Sequence, residues 1–279
     1  MTRPIGWVYE ADIRGFFDHL DHEWLMRMIE LRVGDPWILR LTRKWLKAGI
    51  LEDGIVKKPT KGAPQGGPLS PMLANVYLHY VLDLWFERVI HPKCRGYAEL
   101  TRFADDFVVR FERKEDAEAF AKVMTVRLSK FGLELATEKT RILAYGRKTY
   151  RRGQKEHFDF LGFRHHLGQN RKGIFIVIRI PSPKSVAKFL AETKQWLQEH
   201  RHDPPKEQQG QLIRKLKGFY QYFGLYHCSE KLKAVQREVM KYWFWNLRKQ
   251  SQRSKQTWEA WTCKSWFRLP EPRLVHPTV

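Results

Sequence analysis

The chain has 279 residues, 43% of them hydrophobic and 14% aromatic, which suits one large domain or two ordinary ones and excludes a disordered chain. It lacks an apolar run of the roughly 18 residues that a membrane span needs and shows no signal peptide, and three widely spaced cysteines exclude a disulfide framework, so we expect a cytoplasmic protein without membrane contacts. The net charge of +21 points to nucleic acid as a partner.

The periodicity of the apolar residues predicts strands and helices in the first two thirds of the chain. In order, these are a strand over 7–12, helices over 21–33 and 35–48, a hairpin within 49–58, a Gly- and Pro-rich loop over 61–71, a helix over 71–90, two strands within 100–111, a helix over 114–131, strands near 133–137 and 141–145, and a hairpin near 158–180. Only helical periodicity follows, over 184–201, 208–226 and 230–249. We therefore predict an α+β domain over 1–181 and an all-helical domain over 182–279.

The positive charge is concentrated in the second half of the chain. Residues 1–138 hold 21 basic and 20 acidic side chains, whereas residues 139–279 hold 30 basic and 10 acidic ones. Several tryptophans lie among the last of these cations, an arrangement that suits stacking on bases as well as packing of a helical bundle. We expect the second half to bind nucleic acid; the alternative is a solvated basic surface.

Three carboxylates stand where predicted strands end. Asp12 ends the first strand, and Asp105 and Asp106 lie at the turn between two later ones. Clustered acids raise one another's pKa unless a cation neutralises them, and Mg²⁺ prefers a few carboxylates together with phosphate oxygens. Two such ions about 3.5–4 Å apart activate a 3′-hydroxyl and stabilise a leaving pyrophosphate. On spacing alone, a solvated Asp-Asp turn is the alternative.

Two nearby segments indicate a nucleotide site. Phe16 and Phe17 follow Asp12 closely enough for an aromatic ring to lie beneath an incoming sugar, although two core phenylalanines would give the same pattern. Gln65 lies in a loop whose glycines let the backbone approach a ligand, and the alternative there is an ordinary turn before a helix.

Five motifs carry a family resemblance: ADIRGFFDHLDH, APQGGPLSPMLANVYLH, RFADDFVV, LELATEKT and FLGF. In this order and spacing the chain resembles the reverse transcriptases encoded by bacterial group II introns, which also act as maturases. The stretch KLKGFYQYFGLYHCSEKLKAVQREVMKYWFWNL and the ending LPEPRLVHP look like the thumb or maturase region of a lineage without an endonuclease. The resemblance implies an α+β palm with an antiparallel sheet flanked by helices, then an all-helical thumb/maturase domain, in a bacterial cytoplasm.

The resemblance also implies a role for each matching residue. It gives metal ligands at Asp12, Asp105, Asp106 and the Ile13 carbonyl, a general acid at Lys139, nucleotide contacts at Ile13, Phe16, Phe17 and Gln65, and a primer grip at Phe160, Leu161 and Gly162. The implied cofactors are two Mg²⁺ ions, with Mn²⁺ as a substitute. The implied partners are structured intron RNA, an RNA template with a DNA primer, and deoxynucleoside triphosphates. A basic run that we place in a loop, Arg147, Lys148, Arg151 and Arg152, is expected to hold RNA.

One departure from the family pattern concerns the fingers region, which normally precedes the first catalytic strand. Only eleven residues precede Asp12, so we expect the fingers to be largely absent and the chain to be truncated at its N-terminus. The expected function is RNA-directed DNA synthesis with a maturase role in splicing. The alternatives are an RNA-binding maturase remnant with weak polymerase activity, a split protein with a separate fingers fragment, and a reverse transcriptase of another retroelement or of a defence system.

Overall fold

The computed structural model describes residues 5–47, 50–52, 55–57, 61–62, 69–154, 156–170, 172–250 and 257–276. The chain divides into two compact units, Met1–Glu156 and His157–Val279. This division lies earlier than the predicted boundary after Pro181, because the strands over 157–181 pack against the helices that follow them, with Phe163 lying 4.9 Å from Phe223 between ring centroids. The assignment of the units as palm and thumb stays a prediction.

A four-stranded antiparallel sheet organises the first unit, in the order β4-β5-β1-β6. Its strands are β1 (Trp7–Ala11), β4 (Ala98–Phe103), β5 (Asp106–Phe111) and β6 (Arg141–Ala144), and a separate hairpin is formed by β2 (Ile50–Glu52) and β3 (Ile55–Lys57). Alternation along the strands gives the sheet one apolar face, on which Tyr9, Phe107 and Phe111 are buried. Phe120 of the covering helix meets Tyr9 edge-on at 5.2 Å. The other face carries the buried side chains of Val8, Val108 and Leu143 together with polar side chains towards the strand ends.

Four helices of the first unit lie close to their predicted positions: α1 (His22–Glu30), α2 (Pro36–Lys47), α3 (Ser70–Leu78) and α4 (Lys114–Lys130). A fifth, α5 (Arg147–Arg151), lies where the sequence predicts a loop. Asp21 and Asp35 accept backbone N–H bonds at the starts of α1 and α2, as N-caps do.

The predicted helix over 71–90 becomes π-helical after α3, over His79–Asp83 and Phe86–Ile90. The wider π turn displaces carbonyls from the regular ladder, and such turns are frequent at functional sites. The Arg127 guanidinium donates hydrogen bonds to the carbonyls of Tyr80 (3.0 Å) and Val81 (2.9 Å), which stabilises the distortion.

Two local predictions differ from the structure. Residues near 133–137 form no strand, because only Leu135 pairs, in an isolated bridge with Ile13, and a 3₁₀ turn follows at Thr137–Lys139. The basic run at Arg147–Arg151 is a short helix and not a loop, because Thr149 is buried on its inner side while Arg147 and Lys148 stay exposed.

The second unit combines a three-stranded antiparallel meander with helices. Its elements are β7 (His157–Phe160), β8 (Phe163–Gln169), β9 (Phe175–Pro181), α6 (Pro183–Glu199), α7 (Pro205–Phe223), α8 (Ser229–Arg248) and α9 (Trp258–Thr262). The three long helices confirm the predicted periodicity. Trp243 is fully buried and stacks on Phe267 at 4.7 Å, and Trp261 is also buried, so these tryptophans pack the bundle. Trp245, by contrast, is exposed.

A buried amide fixes the connection between α6 and α7. The Gln208 side chain, which is inaccessible to solvent, donates to the carbonyls of His200 (3.0 Å), Arg201 (3.2 Å) and Asp203 (3.0 Å). Its carbonyl accepts a bond from the Trp243 indole at 3.1 Å. A buried polar group with this many partners holds the turn in one conformation. None of the described helices is long and apolar enough to cross a membrane.

Candidate active site

The sheet register brings two of the predicted metal ligands together. Ala11, the last residue of β1, pairs with Phe107 of β5 in antiparallel register. Extending this register by one residue sets Asp12 opposite Asp106. Directly opposed residues of an antiparallel pair share a face, with Cβ atoms about 4.5–5.5 Å apart. Both carboxylates therefore lie on the face opposite the apolar one that carries Tyr9.

Asp105 belongs to the turn that joins β4 and β5. Phe103 pairs with Asp106, so Ala104 and Asp105 form a two-residue hairpin turn. Ala104 has a φ of +53°, a left-handed conformation that costs free energy in any residue with a Cβ atom. The ring of Phe103 is 66% exposed beside this turn.

Arg102 anchors the strained turn to the helix behind it. Its guanidinium makes a two-pronged ion pair with Asp83, with Nε at 2.7 Å from Oδ1 and Nη2 at 2.6 Å from Oδ2. The remaining nitrogen, Nη1, donates to Asn75 Oδ1 and to the Ala104 carbonyl, both at 2.8 Å. The Arg102 side chain is only 11% exposed. Two-pronged pairs fix geometry as well as adding energy, so this arginine positions the backbone next to Asp105.

The segment that follows α4, residues 134–136, forms backbone hydrogen bonds with the chain just after β1. The Asp12 carbonyl accepts a bond from the Ala136 N–H at 2.8 Å, and the Arg14 N–H donates to the Glu134 carbonyl at 2.9 Å. Successive peptide groups of an extended strand point to opposite sides. The Ile13 carbonyl therefore points away from this segment and towards the β5 side, where Asp106 lies.

This segment also delivers Lys139 to the acids. The Lys139 ammonium donates a hydrogen bond to the Asp12 carboxylate. That bond, together with the negative charges of Asp12, Glu138 and Asp106, raises the pKa of Lys139, so the side chain holds its proton at neutral pH. The hydrogen bond places Lys139 and Asp12 at one site, and the register continues to Asp106 opposite Asp12.

The acids and the Ile13 carbonyl have the chemistry of a hard-cation site. Within the described ranges, no three His, Cys, Asp or Glu side chains come together as a ready-made metal cluster, and the Asp12 carboxylate is engaged by Lys139. Asp12 and Asp106 nevertheless lie on one face of the sheet, and Mg²⁺ needs only one or two carboxylates besides substrate phosphates. The residues therefore fit a divalent ion that substrate helps to hold.

The two phenylalanines after Asp12 have different surroundings. Phe16 is buried in the core and packs near Tyr77, so it supports the turn and lies away from any nucleotide. Phe17 is half-buried and meets Phe16 edge-on at 5.4 Å. The backbone of Gly62 lies against this turn: a Cβ atom there would stand 2.9 Å from the Phe17 carbonyl oxygen, and its φ is +88°. Gln65 lies outside the described residues.

The predicted primer grip is a tight turn in the second unit. Leu161 and Gly162, which follow Phe160, have φ angles of +50° and +74°. The Tyr222 hydroxyl donates to the Leu161 carbonyl at 3.0 Å, and the Ser185 hydroxyl donates to the Gly162 carbonyl at 3.1 Å. The turn is therefore held from α6 and α7.

The predicted RNA-contacting cations lie on α5 and at its end. Arg147 and Arg151 are four residues apart, as are Lys148 and Arg152, so helical geometry places them on neighbouring rows. All four are exposed.

The sequence interpretation missed the supporting residues. Arg102 and Asp83 hold the acidic turn, and Tyr222 and Ser185 hold the turn at Leu161. Arg102, directly before Phe103 in β4, is the one local signal, because a charged side chain in a largely buried position needs a partner. No local sequence pattern indicates the roles of Asp83, Tyr222 and Ser185, since the residues that they contact lie far away along the chain.

Comparison with known proteins identifies the family of the chain. A family model described as reverse transcriptase (RNA-dependent DNA polymerase) matches residues 3–165, more than half of the chain. The group II intron-encoded protein LtrA of Lactococcus lactis subsp. cremoris is 48% identical over 82 residues, which cover 28% of this chain and 14% of that protein. Protein YkfC of Escherichia coli K12 is 35% identical over 89 residues, covering 32% of this chain and 23% of that protein. The matches thus span less than a quarter of these relatives, and they confirm the resemblance to group II intron-encoded proteins.

Among solved structures, apo telomerase from Candida tropicalis aligns with a TM-score of 0.50 and 14% identity, over 89% of this chain and 43% of that one. This likeness concerns the fold alone and agrees with the predicted α+β architecture with a helical region. The family model matches more than half of the chain and thereby gives the assignment: the chain belongs to the reverse transcriptases, the RNA-dependent DNA polymerases.

Proposed function

We propose that this chain carries the nucleotidyl-transfer centre of a group II intron reverse transcriptase and takes part in splicing of the intron RNA as a maturase. The observation that carries the proposal is the register that opposes Asp12 to Asp106, with Lys139 at the same site. Two opposed carboxylates that can hold a metal cation suit phosphoryl transfer, because catalysis of that reaction depends mainly on charge neutralisation and on positioning of the reacting groups.

Each residue of the site has a part in this proposal. Asp12, Asp105, Asp106 and the Ile13 carbonyl would hold two Mg²⁺ ions, or Mn²⁺ in their place, which supply Lewis-acid activation of the primer 3′-hydroxyl and charge neutralisation on the triphosphate. Lys139, which holds its proton at neutral pH, would give that proton to the leaving pyrophosphate. The proposed partners are an RNA template with its DNA primer, deoxynucleoside triphosphates and structured intron RNA.

Primer extension on an RNA template tests the polymerase part of the proposal. The purified chain is incubated with a DNA primer annealed to RNA, deoxynucleoside triphosphates and Mg²⁺, and elongated products are separated by size. Elongation that stops on chelation of the metal supports the proposal, and an absence of elongation in Mg²⁺ and in Mn²⁺ contradicts it. Splicing of intron RNA with and without the protein tests the maturase part separately.

A second candidate function is RNA binding with little polymerisation. The charge of the second unit favours it, since residues 157–279 hold 23 basic and 9 acidic side chains. Under this alternative the chain binds and stabilises structured RNA but elongates no primer, an outcome that the same two assays separate from the first.

Phe17→Ala is expected to relax the choice of sugar. In the proposed site the Phe17 ring lies under the deoxyribose and clashes with a ribose 2′-hydroxyl. The ratio of kcat/KM for a deoxynucleotide to that for the ribonucleotide should then fall at least about tenfold. Phe17→Tyr keeps the ring and should keep the ratio. A lowered Tm with an unchanged ratio would assign Phe17 to the core.

Neutralising the cations of α5 is expected to weaken RNA binding in a salt-dependent way. Each lost phosphate contact flattens the log–log salt dependence by roughly 0.7–0.9, so four lost contacts change the slope by about three. The measurement is a salt titration of affinity for structured RNA, with Arg147, Lys148, Arg151 and Arg152 all replaced by Gln. The matched control neutralises four exposed lysines of α2 and α4: Lys44, Lys47, Lys122 and Lys130. Equal slopes for the two variants would exclude a specific role for α5.

A further inference from the structure

The second unit contains a small basic cavity between α6 and α8, away from the turn at Leu161. Its volume is about 260 Å³, below the roughly 300–1,000 Å³ of sites for drug-sized molecules. The described residues that line it include Lys194, Gln198, Arg201, Tyr242, Trp245 and Lys249. A space of this size with such a lining suits one small planar group and not an extended ligand.

The cavity concentrates unpaired positive charge. Lys194, Arg201 and Lys249 surround it, and no acidic residue appears among its described lining. The side-chain ion pairs that the structure describes in this unit use other residues, such as Lys188 and Lys241. Three cations without a carboxylate repel one another, and an anion between them lowers that energy.

Arg201 adds a hydrogen-bond donor without a described partner to the lining of this cavity. Its Nε atom is buried and has no hydrogen-bond partner, which is costly for a charged group. The backbone at Arg201 is fixed, because its carbonyl accepts hydrogen bonds from Gln208 and from Gln250. Arg201 therefore lines the cavity with a guanidinium donor that has no partner among the described residues.

Two aromatic rings form the walls. Lys194 lies over the Tyr242 ring at 5.9 Å, and Arg248 lies over the Trp245 ring at 5.4 Å. Trp245 is nevertheless 52% exposed, although its neighbour Trp243 is fully buried. Exposed aromatic rings among cations bind single-stranded nucleic acid, because every base has a face that stacks and every nucleotide carries a phosphate.

We propose that this cavity binds one unstacked nucleotide of single-stranded RNA, with its base against Trp245 and Tyr242 and its phosphate among Lys194, Arg201 and Lys249. Gln198 supplies an amide group for the base edge. The inference rests on the proposed function only in taking RNA as the partner. Duplex RNA keeps its bases stacked inside the helix and cannot place one in the cavity.

The test compares affinities of the full chain for a short single-stranded RNA and for a duplex of the same length, without Mg²⁺. Trp245→Ala should weaken binding of the single strand about 5- to 150-fold, the range expected for one lost stacking contact. Duplex binding should stay unchanged. Trp245→Phe should restore most of the affinity. Tyr226→Ala, which removes an equally exposed ring of the same unit, serves as the matched control and should have little effect.

A double-mutant cycle tests whether the cations hold the same nucleotide. Lys194→Gln with Lys249→Gln should flatten the salt dependence for the single strand by roughly 1.4, and its effect should be non-additive with Trp245→Ala because all three contact one ligand. The control pair Lys231→Gln with Lys233→Gln, on the same helix, should be additive with Trp245→Ala.

Three outcomes would overturn the inference. They are equal losses for Trp245→Ala and Tyr226→Ala, an equal loss for single strand and duplex, and binding of an oligoglutamate peptide that depends on Trp245 as strongly as RNA binding does. The last result would make the cavity a site for acidic peptides. Primer extension is measured in parallel: a chain that binds RNA through Trp245 but elongates nothing refutes the proposed polymerase and leaves this inference standing.

Discussion

Asp12→Asn and Asp106→Asn are each expected to lower the rate of primer extension by at least about 10²–10³-fold, the loss typical when one preorganised electrostatic group is removed from an active site. Each change keeps the shape of the side chain and removes its charge. The register that opposes these two residues makes them a pair, so the double variant should be little worse than either single one.

Single-turnover primer extension on an RNA template measures this effect. The matched control is Glu118→Gln, which removes one exposed carboxylate from α4 and should leave the rate unchanged. RNA affinity should survive in both Asp variants because the positive charge lies elsewhere in the chain. A variant at Asp12 that extends primers at the original rate would show that Asp12 holds no catalytic ion.

Arg102→Met is expected to damage both stability and catalysis. The change leaves Asp83 without its two-pronged partner in a site where Arg102 is largely buried. Removing one member of a buried pair costs about 3–5 kcal/mol, and we expect the lower end because Asp83 keeps some contact with water. The Ala104 carbonyl also loses its donor, so the turn with Asp105 relaxes and kcat falls.

A second variant separates these two effects. Replacing both partners, as Arg102→Met with Asp83→Leu, removes the unpaired charge, so most of the free energy of unfolding should return. The turn still lacks its anchor, so kcat should stay low while KM for the nucleotide changes less. Arg43→Met, which breaks the exposed pair with Glu30, should cost no more than about 1 kcal/mol. Full recovery of kcat in the double variant would show that Arg102 has only a structural role.

The positions of the acids could be predicted from sequence because their signals are local. The alternation of apolar residues in the first strand ends at Asp12, and Asp105 with Asp106 separates two later apolar runs. The ends of these strands can therefore be predicted from a few neighbouring residues. What the sequence could not give was the pairing that opposes Asp12 to Asp106, since strand register depends on partners far apart in the chain.

The supporting contacts were hidden for the same reason. Lys139 reaches Asp12 across 127 residues, and nothing local predicts that ion pair. Asp83 lies in a π-helical turn and forms an ion pair with Arg102. The pattern of apolar residues predicts an ordinary α-helix there and therefore does not indicate this contact. The prediction of a strand near 133–137 was wrong. The apolar residues there form a single bridge at Leu135 and bury Leu133 and Ala136, without pairing along a strand.

The central position of β1 has a consequence for how the protein acquires its site during synthesis. Its two neighbours in the sheet, β5 and β6, lie far after it in the sequence. Forming these strand pairs is slow, because conformational entropy is lost in closing the large loops before the contacts between strands form. In a growing chain on the ribosome, Asp12 is synthesised early, but Asp106 can lie opposite it only after β5 has emerged. Lys139 can bind Asp12 only after the segment before β6 has emerged as well. The site is therefore a late product of folding, and the nascent chain presents an unpaired apolar strand until then.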